Sequence, residues 1–267
     1  MTKFYNYINE GRSQKIEQSK ALEIIRKNCN QILSNYKKTG RYIYRGLGND
    51  TYTLYIDPKK SVRKSANTKN YYTLLIDHIW KEWSDYPKRS QSIICTNNLV
   101  TADNFGSPYI IFPYNNSKIG ICPAVDLWIS FKSVLNSQTL EDFVFIIHDL
   151  LNILDIKYGD INSNPKDLEM ALNEIGDLMR SDEKNLKIVD YMAEDFGFGI
   201  EYFVEQNKNF TDYLGELFDP DKNNFQLTNT KQGIQGNSNE LWTDGECIMI
   251  NIDDYDMATI SKFIEGI

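Results

Sequence analysis

Apolar residues recur every three or four positions over residues 16–35. Leu22, Ile25, Cys29, Ile32 and Leu33 share one face and Gly40 supplies a stop, so the spacing predicts an amphipathic opening helix. The segment RYIYRGLGND then reads as a short strand entering a turn, with Gly46, Gly48 and Asn49-Asp50 as turn residues and Arg45 at the strand's end. A basic, polar stretch over 57–69 leads to a second helical pattern. Its Tyr72, Leu75, Ile76, Ile79, Trp80 and Trp83 form one apolar stripe, ended by Pro87. Two β-branched runs, Ile93-Ile94 in RSQSIICT and Ile110-Ile111 in PYIIFP, predict buried strands on either side of a polar connection, NNLVTADNFG, with a helical turn.

Residues 126–219 are mostly helical by pattern. Phe143, Ile147, Leu150, Leu151 and Leu154 make one face, Leu168, Leu172, Ile175 and Met179 another, and Asn164-Pro165 separates them. After an Asn- and Gly-rich stretch the chain returns to strand at 246–250 and ends on a short helix. Strands thus flank a large helical insert, with no internal repeat and no low-complexity linker. The expectation is one α+β domain over 1–267: a helical N-terminal segment (1–40), the first part of the core (41–125), the helical insert (126–219) and the last part of the core (220–267).

Composition narrows the function classes. The longest apolar run, Phe143–Ile147, falls far short of the about 18 residues a membrane helix needs, and MTKFYNYINEGRSQ has no apolar signal-peptide region. A soluble, cytoplasmic protein that engages no membrane is therefore expected. A net charge of −8 argues against a module that grips phosphate backbones non-specifically. With 31 Ile and 27 Asn against 7 Ala, the chain has the bias of an AT-rich genome, as in a phage or low-GC bacterium. The four cysteines, Cys29, Cys95, Cys122 and Cys247, form no CxxC pair, so neither a zinc site nor a disulfide framework is readable, and small buried hydrophobes are expected.

Familiar catalytic motifs are missing: there is no HExxH and no Walker A loop, and only two histidines, His78 and His148, both inside apolar helical patterns. Buried, hydrogen-bonded histidines are expected there rather than catalytic bases. The RGLGND glycines lack the third glycine of a dinucleotide fingerprint. No metal site is expected. Tyr72, Trp80 and Trp83 could stack on a planar ring, but their helical spacing favours core packing.

An ordered triplet stands out. Tyr44-Arg45-Gly46 closes one strand, Ser90-Gln91-Ser92 opens a second and is followed by Ala102-Asp103-Asn104-Phe105-Gly106, and Asp244-Gly245-Glu246-Cys247-Ile248 opens the last. In this order and strand context the chain resembles the ADP-ribosyltransferases of the Arg-Ser-Glu class, over roughly 41–115 and 224–252. The resemblance implies an ADP-ribosyltransferase-like β-sheet core that binds NAD as substrate. It also implies transfer of ADP-ribose to a protein or nucleic-acid acceptor, as a phage or bacterial effector would do in the cytoplasm. Arg45, beside Gly46, would hold the pyrophosphate through its guanidinium fork. Glu246 would stabilise the oxocarbenium-like charge that develops as the bond to nicotinamide breaks, and Ser90 and Ser92 would hold the glutamate and the ribose in register.

Three departures qualify the match. Asp244 stands where relatives carry Glu or Gln, so the acceptor is left open; Thr96 could supply the hydroxyl in place of Ser90; and the insert is longer than the resemblance implies. The alternative is a non-catalytic binding protein, a phage-encoded inhibitor or nucleotide-binding sensor, whose helical lobe engages a protein partner. Its acidic surface would mimic nucleic acid.

Overall fold

The computed structural model describes residues 13–48, 53–60, 62–63, 69–131, 134, 139–181, 200–236, 239–252 and 257–267. Its strands are β1 (Gln14–Lys15), β2 (Tyr44–Leu47), β3 (Leu54–Ile56), β4 (Ile93–Thr96), β5 (Ser107–Pro113), β6 (Lys118–Ile121), β7 (Gln226–Asn229), β8 (Glu240–Thr243) and β9 (Cys247–Asn251). Its helices are α1 (Gln18–Asn28), α2 (Asn30–Thr39), α3 (Tyr71–Leu74), α4 (Leu99–Asp103), α5 (Leu140–Ile153), α6 (Pro165–Ser181), α7 (Ile200–Glu205), α8 (Phe210–Leu217) and α9 (Met257–Gly266). The class is α+β. Where the sequence predicts one domain with an insert, the chain divides into two compact units. One comprises 1–63, 86–125 and 226–267, the other 64–85 and 126–225. The second unit therefore joins the expected insert to the aromatic helical segment before it, because that segment's rings pack against the insert.

The first unit is built on one antiparallel sheet in the order β1-β3-β9-β5-β2-β4-β8-β6-β7. Only three residues separate β8 from β9, yet β5, β2 and β4 lie between them in the sheet. Successive antiparallel pairings leave β8 and β9 running the same way. The chain therefore passes straight from one into the other, while β5 runs on into β6 alongside. The two form one antiparallel ribbon with a bend where 114–118 oppose 244–246. Gly245 is required there, since a Cβ would sit 1.7 Å from Ser117 Oγ, and Asn116 turns the opposite strand at φ 65°. β2 pairs with one arm of the ribbon and β4 with the other, and the two meet at Tyr44↔Thr96.

Both arms carry apolar side chains into a common core that includes Ile93, Cys95, Ile111, Ile119, Leu241 and Met249. On β5, Phe112 takes the edge of Tyr36 from α2, which also meets Tyr42. The helix predicted over 16–35 is in fact two, broken at Cys29 (φ −121°), whose thiol donates to the Phe112 carbonyl. β8 is a strand the periodicity did not reveal, and RSQ of the predicted RSQSIICT strand is a 3₁₀ turn, Arg89–Gln91.

In the second unit the predicted aromatic helix is short. α3 runs into a π-helical turn at Leu75–Ile79, Trp80 is extended, and Lys81–Trp83 is 3₁₀. The stripe is nevertheless core: Trp80 stacks on Phe218 at 5.0 Å and 8°, and Trp83 meets Phe131 and Phe225 edge-on. Tyr72, Trp80 and Trp83 are all buried, so none is a ring-stacking platform. His148 of α5 is half-buried rather than buried, and meets the Tyr71 hydroxyl and the Asn152 amide at 3.3 Å each, whereas His78 is exposed. Among the described residues, no helix is long and apolar enough to cross a membrane.

All four cysteines are free and buried. Burial pushes the Cys29 thiol up from its ordinary value near 9 to about 12, and holds that of Cys247 well above it as well. The unfolded chain releases these protons as pH passes 9 while the native chain keeps them, so stability is complete below that pH and falls as pH rises toward 12. Calorimetry should show a lower midpoint at about pH 10.5 than at about pH 8; equal midpoints would contradict the burial. Trp80→Ala should cost roughly 3–5 kcal/mol in urea unfolding, and an unchanged midpoint would remove Trp80 from the core.

Candidate functional site

Arg45 lies on β2 opposite Tyr109, and its Nη1 donates to the Ile94 carbonyl at 2.6 Å. β2 and β4 share only the Tyr44↔Thr96 pair and then part, so the guanidinium spans the gap that opens between the two arms. Gly46, the next residue, lets α4 come close: a Cβ there would lie 2.0 Å from the Ala102 carbonyl oxygen and 2.9 Å from Phe105 Cβ. The Tyr-Arg-Gly and Ala-x-x-Phe segments are therefore neighbours. Phe105 is 64% exposed and Val100, on α4, 71%.

Ser90 and Ser92 are buried, in and just after the 3₁₀ turn that precedes β4. The Ser92 hydroxyl donates to the Lys88 carbonyl at 2.7 Å, and the Ser90 carbonyl accepts from the Arg63 amide, so both hold the turn. Thr96 ends β4 with Oγ1 accepting from the Asn98 amide at 3.1 Å, and it stands opposite Tyr44 on one side and Glu240 on the other.

Asp244 and Glu246 flank Gly245 in the ribbon's bend. Asp244 accepts from the Lys118 amide at 3.2 Å and lies 3.6 Å from Lys59 Nζ. Glu246 Oε2 accepts the Tyr55 hydroxyl at 2.6 Å, and its carbonyl accepts from the Tyr114 amide, which keeps Glu246 within the β5–β9 ladder. The Tyr55 phenol is raised, first by burial and then by this carboxylate.

The expected convergence of Arg45 and Glu246 is not what the register delivers. Arg45 opposes Tyr109, which opposes Asn251 on β9. Glu246 lies five residues back along that strand, about 17 Å at about 3.3 Å per residue. An odd offset also puts it on the other face of the sheet, the face of Tyr55 and Ile248. In NAD the pyrophosphate is esterified directly to the nicotinamide ribose, so this pair does not close around one molecule.

The sheet instead aligns Tyr44, Thr96 and Glu240 across β2, β4 and β8. Directly opposed residues hold their Cβ atoms about 5 Å apart, which sets the Thr96 side chain beside that of Glu240; Arg45, one residue along β2 from Tyr44, leaves the strand on the opposite face and comes to the gap only through its long side chain. Thr96, one of the two hydroxyl candidates, stands directly opposite Glu240 in the ladder. Glu240 Oε1 accepts from Arg89 Nη2 at 2.7 Å and lies 3.8 Å from Cys122 Sγ. The Arg89 guanidinium sits 5.0 Å from the Trp242 ring centroid. The sequence carries the same signal for Glu240 as for Glu246. In NELWTDGECIMI a glutamate immediately precedes an apolar strand twice, Glu240 before Leu241-Trp242 and Glu246 before Cys247-Ile248.

Among the described residues, no group of three or more His, Cys, Asp or Glu side chains is placed to hold a metal ion. No protein-family model, curated protein or solved structure matches the chain.

The close approach at Gly46 generates a test. Gly46→Ala should force β2 and α4 apart and cost roughly 1–3 kcal/mol, the usual range for overpacking, read as a lower urea midpoint. A neutral substitution would mean that the two segments are not in contact.

Proposed function

We propose that the chain is an NAD-dependent ADP-ribosyltransferase whose catalytic carboxylate is Glu240, with Thr96 and Arg45 completing the site. The observation that carries this reading is the Thr96↔Glu240 register, which sets hydroxyl and carboxylate side by side; Arg45 starts on the opposite face of β2 and reaches this place only through its guanidinium, in the gap beside the Ile94 carbonyl. The ADP-ribosyltransferase-like core implied by the motifs is kept, and its glutamate moves from Glu246 to Glu240.

The residues suit the substrate. A guanidinium carries five N–H donors, so Arg45 can hold the Ile94 carbonyl and a phosphate oxygen together. The exposed Phe105 ring, on the segment that Gly46 brings close, offers a flat apolar face to a base. As the ribose–nicotinamide bond breaks, nicotinamide leaves with the bonding electrons. Glu240, bonded to a ribose hydroxyl, stabilises the positive charge that develops on the sugar. An acceptor nucleophile or water then bonds to that carbon and loses its proton. Thr96 orients the carboxylate and the ribose. Asp244, tied to Lys59 and the Lys118 amide, belongs to the bend rather than to this centre.

Nicotinamide release from NAD, with water as acceptor, tests the reading. Glu240→Gln should lower turnover on the order of 10² to 10³, the usual effect of losing one preorganised electrostatic contact, while Glu246→Gln stays close to wild type. The opposite pattern would restore Glu246 as the carboxylate. A folded wild type that releases no nicotinamide would remove the transferase reading.

A further inference from the structure

Resting on Glu240 as the catalytic carboxylate, we propose that Arg89 is a positioning residue for the transfer reaction. It fixes the rotamer of Glu240 through one oxygen and so aims the carboxylate at the ribose. Arg89 is 3% exposed and the Glu240 side chain 14%, so the pair is shielded from water. The guanidinium is held from more than one direction. It lies over the Trp242 ring, Tyr86 stacks on that indole at 5.9 Å and 22°, and the indole N–H donates to the Pro87 carbonyl at 2.7 Å.

Tyr86, Pro87 and Arg89 therefore form one short segment clasped on Trp242, and Trp242 lies two residues beyond Glu240 on the same strand and the same face. Any shift of the clasp moves the carboxylate's partner. A carboxylate offers about four acceptor positions, so Glu240 can accept from Arg89 and from a ribose hydroxyl at once. The planar fork of arginine fixes direction as well as charge; a lysine ammonium supplies charge alone.

Arg89→Lys keeps the charge and should leave the fold and the KM for NAD within about twofold of wild type, while kcat falls at least about tenfold. In the Glu240→Gln background the same substitution should cost nothing further, because the group it positions is already gone. A purely structural arginine would instead lower the melting midpoint and impair binding in both backgrounds, and that result, or a fully active Arg89→Lys, overturns the proposal. Arg89→Met, with the cation removed, should lose kcat further and recover part of it on addition of methylguanidinium; a folded Arg89→Met with undiminished kcat also overturns it. Nicotinamide release absent from the wild type itself would remove the underlying reading, and the role of Arg89 with it, and is distinguishable from every variant result.

Discussion

A β-ribbon that serves two halves of a sheet must turn without losing its ladder, and in this chain that turn falls at Asp244-Gly245-Glu246. Ser117 Oγ occupies the space a Cβ would need at residue 245, so the turn depends on a glycine there. On either side, one strand pair contributes β5 and β9 to one arm, and β6 and β8 to the other. β2 and β4 then reach across at a single pair, Tyr44↔Thr96. The wedge beyond that pair, where Arg45 reaches the Ile94 carbonyl, exists because the ribbon bends.

The same bend sorts the acidic residues by role. Glu246 and Asp244 lie at the bend itself and are bonded to Tyr55, Lys59 and the Lys118 amide, partners that brace the turn. Glu240 lies one strand length earlier, on the arm that faces β4, where it stands opposite Thr96 and is bonded to Arg89. Two glutamates six residues apart in NELWTDGECIMI thus end up in different environments because one pairs with β4's arm and the other with β5's.

Much of this was legible in the sequence, and what was not has a common cause. The β-branched runs of β4, β5 and β9 and the apolar stripe through Trp80 and Trp83 reveal burial, because side-chain periodicity depends on local geometry. The break at Cys29 and the π-helical turn at Leu75–Ile79 did not show, since an apolar stripe survives a local change of winding. β8 was hidden because only Leu241 and Trp242 are strongly apolar in it, and β7 because it is largely polar and exposed at the sheet's edge. At the site, the order of the Tyr-Arg-Gly and Ala-x-x-Phe segments could be read from the sequence, whereas their contact at Gly46 could not. Which glutamate faces the hydroxyl could not, because it is fixed by the pairing of strands about 145 residues apart, and pairing of that range leaves no periodic trace in either segment.

The proposed transfer chemistry requires NAD to lie along the β2–β4–β8 register and not at the ribbon's bend. Backbone amide shifts on titration with a non-hydrolysable carbocyclic NAD analogue read this directly. The largest changes should fall at 44–46, 96–98 and 240–242, with 55, 114 and 244–248 nearly unmoved. Changes concentrated at Tyr55, Tyr114 and 244–248 would contradict it.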